Sequence, residues 1–193
     1  MTINQDPISI FSKWFREELE ASSVQIPTAV CLSTCGADNF PNARFVSFKE
    51  LVDNSFVVTG PLNSRKGLEV EQNPQVALTF WWAETERQVR VQGIASTISD
   101  ELADRYFSER NPAAKAVSAI CEQGSPLSDT GELEKAIADK FALDEIIPRP
   151  AQWGGFIIQP VRIELMEFRS TRLHDRQLYE AHGEGWKVTQ IQP

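Results

Sequence analysis

Apolar and polar residues alternate along this chain with two different periods, and the change from one period to the other marks out its elements. Between positions 7 and 22, Phe11, Trp14, Phe15 and Leu19 recur at helical spacing, with Arg16, Glu17, Glu18 and Glu20 on the other side. That spacing predicts an amphipathic helix packed on a larger body. Period-two runs follow at 28–34, 44–49 and 55–59, the last two joined by a short acidic turn and read as a hairpin. Further strands are predicted at 75–82 and 87–97. In the second of these Val89, Val91 and Gly93 face one way, and Gln88, Arg90 and Gln92 the other. Ser99 caps a helix running to Arg110, Asn111-Pro112 breaks it, and a second helix reaches about Glu122. Residues 129–144 form a charged helix with Leu133, Ile137, Phe141 and Leu143 on its apolar side. Strand-like runs return at 153–158, 161–168, 177–181 and 186–191, with a tight segment at 169–176. About seven strands punctuated by helices, with no βαβ alternation, repeat or linker, predict a mainly β fold. The expected architecture is an antiparallel barrel with peripheral helices, formed as one domain over 1–193.

Composition narrows the partners rather than the fold. The 193 residues carry a net charge of -8, which argues against a nucleic-acid or anionic-membrane surface, since those partners require basic stripes. Apolar runs all fall short of the roughly 18 residues a membrane span needs, and the first residues lack the pattern of a signal peptide, so a cytoplasmic protein is expected. Cys31, Cys35 and Cys121 fit reduced thiols better than a disulfide framework. Cys31 and Cys35 on a strand stand about 13 Å apart with only two histidines in the chain, so no metal site is expected.

Candidate chemistry concentrates in two places. The hairpin delivers the chain to Gly60-Pro-Leu-Asn-Ser64-Arg65-Lys66, where Ser64 can cap a short helix with Arg65 and Lys66 in its first turn. The helix dipole disfavours cations there, and an anion held at the helix start resolves the conflict. A phosphate site is therefore expected. The second place is Arg172-Leu-His174-Asp175-Arg176, where strand alternation would put Arg172, His174 and Arg176 on one face. Both segments present cations without a compensating acidic cluster in the local sequence.

Across nearly the whole chain these features resemble the pyridoxamine 5'-phosphate oxidase family, FMN enzymes with a split β-barrel fold. The resemblance rests on Arg44 with Lys49, Ser64-Arg65-Lys66, Asn73-Pro74, Glu86-Arg87-Gln88-Val89, Tyr106-Phe107 with Arg110, Trp153-Gly-Gly-Phe156 and Arg172-Leu-His-Asp-Arg176. It implies that Arg44, Arg65 and Lys66 hold the FMN phosphate. Phe45, Val46, Ser47, Phe48, Lys49, Val58 and Thr59 would line the flavin, and Gln88, Gln123, Gly124 and Arg176 would complete its shell. Gln88 would come from the partner of a homodimer whose interface holds the cofactor. Lys49, Tyr106 and Arg110 match a second phosphate cradle, for the substrate, and Arg172 and His174 match the catalytic pair over its ring. The implied reaction is oxidation of pyridoxamine or pyridoxine 5'-phosphate to pyridoxal 5'-phosphate, with oxygen reduced to hydrogen peroxide.

Departures from the family pattern cluster on the substrate side. Ala114 stands where a phosphate-binding serine is usual, Ile26 where an acid is common, Gly124 where a serine is common, and Arg169 where a tryptophan is expected beside Phe168. The family's N-terminal arm with its arginine and tyrosine is expected to be missing. These differences leave a related reaction open, a flavin oxidase of phenazine-type biosynthesis acting on a reduced tricyclic intermediate. A non-catalytic flavin-binding split-barrel protein is a further alternative.

Overall fold

The computed structural model describes residues 6–142 and 146–193. Helix α1 spans Pro7–Ala21 and starts where the Asp6 carboxylate accepts from the Ile8 and Ser9 N–H groups. This N-cap, followed by proline in the first turn, satisfies donors that have no partner inside the helix. Phe11 is fully buried and meets Phe48, Phe56 and Phe80 edge-on at 4.8 to 5.6 Å. Glu18, placed by periodicity on the polar side, is instead buried and accepts from the Glu84 and Thr85 backbones and the Thr85 hydroxyl. A loop that lacks ladder partners takes its hydrogen bonds from that carboxylate.

Among the described residues eight strands form one antiparallel sheet, the runs at 153–158 and 161–168 joining into one strand: β1 (Ala29–Cys35), β2 (Pro41–Val52), β3 (Ser55–Pro61), β4 (Gln75–Trp82), β5 (Arg87–Thr97), β6 (Trp153–Glu167), β7 (Asp175–His182) and β8 (Gly185–Gln190). Their order is β3-β2-β1-β4-β5-β6-β7-β8, and an extra β3–β6 pairing closes the first six into a barrel. The same edge of β6 pairs with β3 through Trp153–Ile158 and with β7 through Arg162–Glu167. One long strand therefore serves two neighbours in succession, which splits the barrel.

The sequence breaks β6 at Gln159-Pro160, but the strand runs through. Register shifts there, with Gln92 opposite Arg162 and Gly93 opposite Pro160, leaving Val161 as the extra residue of a bulge. A Cβ on Gly93 would lie 2.5 Å from the Gln159 carbonyl oxygen, so the close approach requires glycine. The β2–β3 turn places Asp53 and Asn54 at φ 47° and 61°, the left-handed pair that a tight hairpin needs.

Among the described residues four more helices lie outside the barrel. Helix α2 spans Arg65–Gln72, α3 Asp100–Ser108, α4 Pro112–Ile120 and α5 Thr130–Ala142. Ser99 and Asn111 cap α3 and α4 as expected. Along α5 the expected apolar side is only partly covered, since Phe141 is exposed, and Leu143 lies outside the described residues. Segment 169–174 is a turn and not a strand: Arg172 sits at φ 67°, so strand alternation does not align Arg172, His174 and Arg176.

Candidate functional site

Strand β2 carries Arg44 opposite Leu32 of β1, and α2 crosses that end of the barrel. The Arg44 guanidinium donates to the Leu32 carbonyl (3.2 Å), the Thr34 hydroxyl (2.6 Å) and the Glu69 carboxylate (3.1 Å). Arg65 donates through Nε to Glu69 (2.7 Å) and pairs with Asp38 at 3.3 Å. Glu69 is buried and also accepts from Thr34 (2.5 Å) and Asn42 (3.2 Å). Burial raises its pKa, but the bonds from Thr34, Arg65 and Asn42 and the Arg44 charge outweigh that, holding it at about 2. The expectation of cations without a compensating acid is thus corrected: Glu69 reaches back one turn to Arg65 and across the sheet to Arg44.

Lys66 differs from both arginines. It is buried, and among the described residues its Nζ donates only to neutral groups, the Ser64 hydroxyl (2.8 Å) and the Gln123 amide oxygen (2.5 Å). Burial, then the Arg44 charge, pushes its pKa down to about 8. One of its three N–H donors is left for a ligand. Ser64 does not close the helix cap as expected: its hydroxyl donates to the Pro61 carbonyl and supports Lys66 instead. Gly60 makes room, since a Cβ there would lie 2.9 Å from Lys66 Cε.

Arg44, Arg65 and Lys66 open on a cavity of about 530 Å³, within the range of small-molecule sites. Phe45, Val46, Ser47, Thr59, Arg110, Gln123 and Gly124 also line it. Phe48 and Val58 are instead core residues, and the Phe48 N–H donates to the Thr28 carbonyl, so neither offers its side chain to the cavity.

Lys49, expected at a substrate phosphate, sits at an irregularity in the β2–β3 ladder between Phe48 and Leu51. Burial, then the nearby Arg110 charge, lowers its pKa. Arg110 is itself desolvated and lies 5.2 Å over the Trp153 ring; its Nε is buried without a partner among the described residues. Its NH2 group donates to the Ala114 carbonyl and the Ser118 hydroxyl. Tyr106 is buried and donates to Glu50 at 2.6 Å, and Arg105 pairs with the same carboxylate. Burial, then Glu50, raises the Tyr106 pKa.

The C-terminal cluster opens on a different cavity, of about 520 Å³, lined by His174, Arg169 and Leu173 among others. His174 accepts from the Arg169 N–H through Nδ1 (3.1 Å), and its ring centroid is 4.7 Å from that of Phe168. The Arg172 side chain is exposed. Arg176 grips Glu164 through two nitrogens at 3.0 and 2.7 Å. Across the sheet, Trp81, Gln88, Met166 and Arg176 form one register row. Gln88, Arg172, His174 and Arg176 therefore do not line the cavity of Arg44 and Lys66 within one chain.

Several lining residues escape sequence reading. Asn42 lies two residues from the expected Arg44, while Val117, Ser118 and Cys121 come from α4 and the residue after it. The helical spacing of 117, 118 and 121 was the available signal for the latter. Thr34 and Glu69 carry no local signal beyond the Arg65–Glu69 spacing.

An anion-seeking cavity on a split antiparallel barrel is the architecture of FMN-binding split-barrel proteins, and comparison with known proteins narrows the class. Residues 15–143 match the family model described as pyridoxamine 5'-phosphate oxidase, and residues 153–193 match the pyridoxine 5'-phosphate oxidase C-terminal dimerisation region. A pyridoxine/pyridoxamine 5'-phosphate oxidase of Rubrobacter xylanophilus is 40% identical over 190 residues, covering 97% of this chain and 87% of the relative. One from Bacteroides thetaiotaomicron is 36% identical over 191 residues, covering 97% and 89%. Among solved structures, PhzG from Burkholderia lata, in complex with tetrahydrophenazine-1-carboxylic acid, superposes with a TM-score of 0.93 at 29% identity, covering 100% of this chain and 95% of that one. The chain belongs to the pyridoxamine 5'-phosphate oxidase family of FMN-dependent oxidoreductases. Its cofactor is FMN, and the cavity residues fit it: Lys66, buried among neutral partners, has a donor to spare for a phosphate.

Proposed function

We propose that the chain oxidises pyridoxamine or pyridoxine 5'-phosphate to pyridoxal 5'-phosphate, in a homodimer whose interface holds FMN. The observation that carries this reading is a set of three desolvated cations outside every ion pair among the described residues: Lys66 and Arg110, which line one cavity with Arg44 and Arg65, and Lys49 close enough to Arg110 to feel its charge. Desolvated cations without carboxylates call for anions, and a phosphorylated cofactor with a phosphorylated substrate supplies two. In this reading Arg44, Arg65 and Lys66 hold the cofactor phosphate, and Lys49 and Arg110 hold the substrate phosphate. When bound, FMN supplies the hydride acceptor and the route by which oxygen becomes hydrogen peroxide. Arg172 and His174 of the second chain orient the reacting carbon, and approach geometry is a large share of the rate. Gln88 and Arg176 complete the flavin shell from that second chain. Phe45, Trp81, Ile94 and Val161 are exposed on the sheet's outer face, which supports a covering partner.

A second reading, a reduced tricyclic substrate, is favoured by one observation. Tyr106 spends its hydroxyl proton on Glu50, which places a carboxylate beside the proposed phosphate cradle, while Ala114 offers it no hydroxyl. Similarity to the phenazine protein over the whole chain points the same way. The test is peroxide release from FMN-loaded protein given pyridoxamine phosphate, pyridoxine phosphate or a dihydrophenazine. Turnover of the phosphate esters supports the first reading, and turnover of the tricycle alone replaces it with the second.

A further inference from the structure

Glu69 sits behind the two arginines of the proposed cofactor-phosphate corner, and nothing in the chemistry of flavin oxidation requires an acid there. Its carboxylate touches both guanidinium groups, at 3.1 Å from Arg44 and 2.7 Å from Arg65, and Asp38 takes a second edge of Arg65. Three cations therefore face two carboxylates in the same corner. We infer that Glu69, assisted by Asp38, is a resident counter-anion: it neutralises Arg44 and Arg65 so that the corner folds without a ligand, and it opposes the incoming FMN phosphate. This rests on the flavin-phosphate reading of that corner.

Two effects of removing the Glu69 charge oppose each other. Arg44 and Arg65 would lose an orienting partner, which alone would loosen phosphate binding. The phosphate dianion would also lose a like charge one guanidinium away, which would tighten it. The second effect dominates on this geometry. Arg44 keeps the Leu32 carbonyl and the Thr34 hydroxyl as acceptors. The Arg65 side chain is 63% exposed, so its one-turn pair with Glu69 orders little, since such pairs contribute only a few tenths of a kcal/mol. Repulsion of a dianion by a buried charge is larger and falls with salt. Lys66, bound only to neutral partners, keeps its place in either case.

The experiment is FMN titration of apoprotein, read by flavin fluorescence, for wild type, Glu69→Gln and Asp38→Asn at low and high salt. Expected are an FMN dissociation constant roughly five- to tenfold tighter in Glu69→Gln at low salt and a gain that shrinks at high salt. Asp38→Asn should gain about twofold, and the Glu69→Gln apoprotein should melt at lower temperature with a larger FMN-induced rise than wild type. Asp38 is surface-exposed, so its variant decides the matter should Glu69→Gln fail to fold. Unchanged or looser FMN binding in the variants, beside a wild type that binds FMN, overturns the role of Glu69 alone. A wild type that binds no FMN overturns the flavin reading of the corner and this inference with it.

Discussion

The cofactor corner and the C-terminal turn both offer arginines, yet they are built in opposite ways. At the corner, Arg44 is held by contacts from β1 and α2, Lys66 by Ser64 and Gln123, and Arg65 by two acids. At the turn, Arg172 sits at a left-handed backbone angle with an exposed side chain, and His174 is fixed mainly by one bond from the Arg169 backbone and the Phe168 ring. The corner is organised by a single chain before any ligand arrives. The turn leaves Arg172 exposed and His174 half-buried. In the proposed reading, the grip on the cofactor phosphate is set within one chain, whereas the rest of the flavin shell and the groups over the substrate wait for the second.

Substitutions should separate the two regions. Arg172→Ala should lower kcat/KM for peroxide release on the order of 100-fold while leaving FMN affinity nearly unchanged; parallel loss of FMN in a fluorescence titration would break the division. Lys66→Met should weaken FMN binding roughly 10- to 100-fold, the worth of a charge-assisted hydrogen bond, and equilibrium dialysis would show it directly.

The pH dependence sharpens the same contrast. Phosphate binding favours protonated Lys66, which in the free protein loses its proton at about 8. FMN affinity should therefore fall as pH rises above 8, by up to tenfold per unit, and the slope should vanish in Lys66→Met. For folding alone the sign reverses. The depressed pKa means that the unfolded chain binds the proton more tightly between about 8 and the ordinary lysine value, so Lys66 destabilises the apoprotein less as pH climbs through that window. Thermal melts without FMN would detect this. A smaller effect is expected at the proposed substrate cradle: Glu50→Gln should raise kcat/KM for pyridoxamine phosphate about three- to tenfold by freeing Tyr106 from a like-charged neighbour of the phosphate. No change there, with faster turnover of a dihydrophenazine, would favour the second reading.

Much of this organisation was legible from period and punctuation. Val89, Val91 and Gly93 face inward as alternation demands, and Arg65 and Lys66 open a short helix where the segment predicts one. Local rules failed where distant residues set the geometry. Pro160 signals a strand end, yet a bulge beside Gly93 absorbs it and β6 continues. Glu69 lies 25 residues from Arg44 and 35 from Thr34, beyond the reach of any sequence window. Arg172 follows no strand alternation because a turn interposes. The run from 129 to 144 has an apolar stripe in sequence, yet α5 packs mainly on α4 and fully buries none of its residues.

The closing pair of the barrel constrains how the chain can be made. Phe56 of β3 bonds to Ile158 of β6, a separation of about a hundred residues that places loop closure late and slows it. During synthesis β1 to β5 emerge first, and until β6 leaves the ribosome both β3 and β5 present unpaired edges, each carrying two valines. That interval is when nascent chains are most open to wrong edge-to-edge pairing. Chaperone demand and soluble yield should accordingly track how quickly the last forty residues follow, more than the stability of the finished barrel.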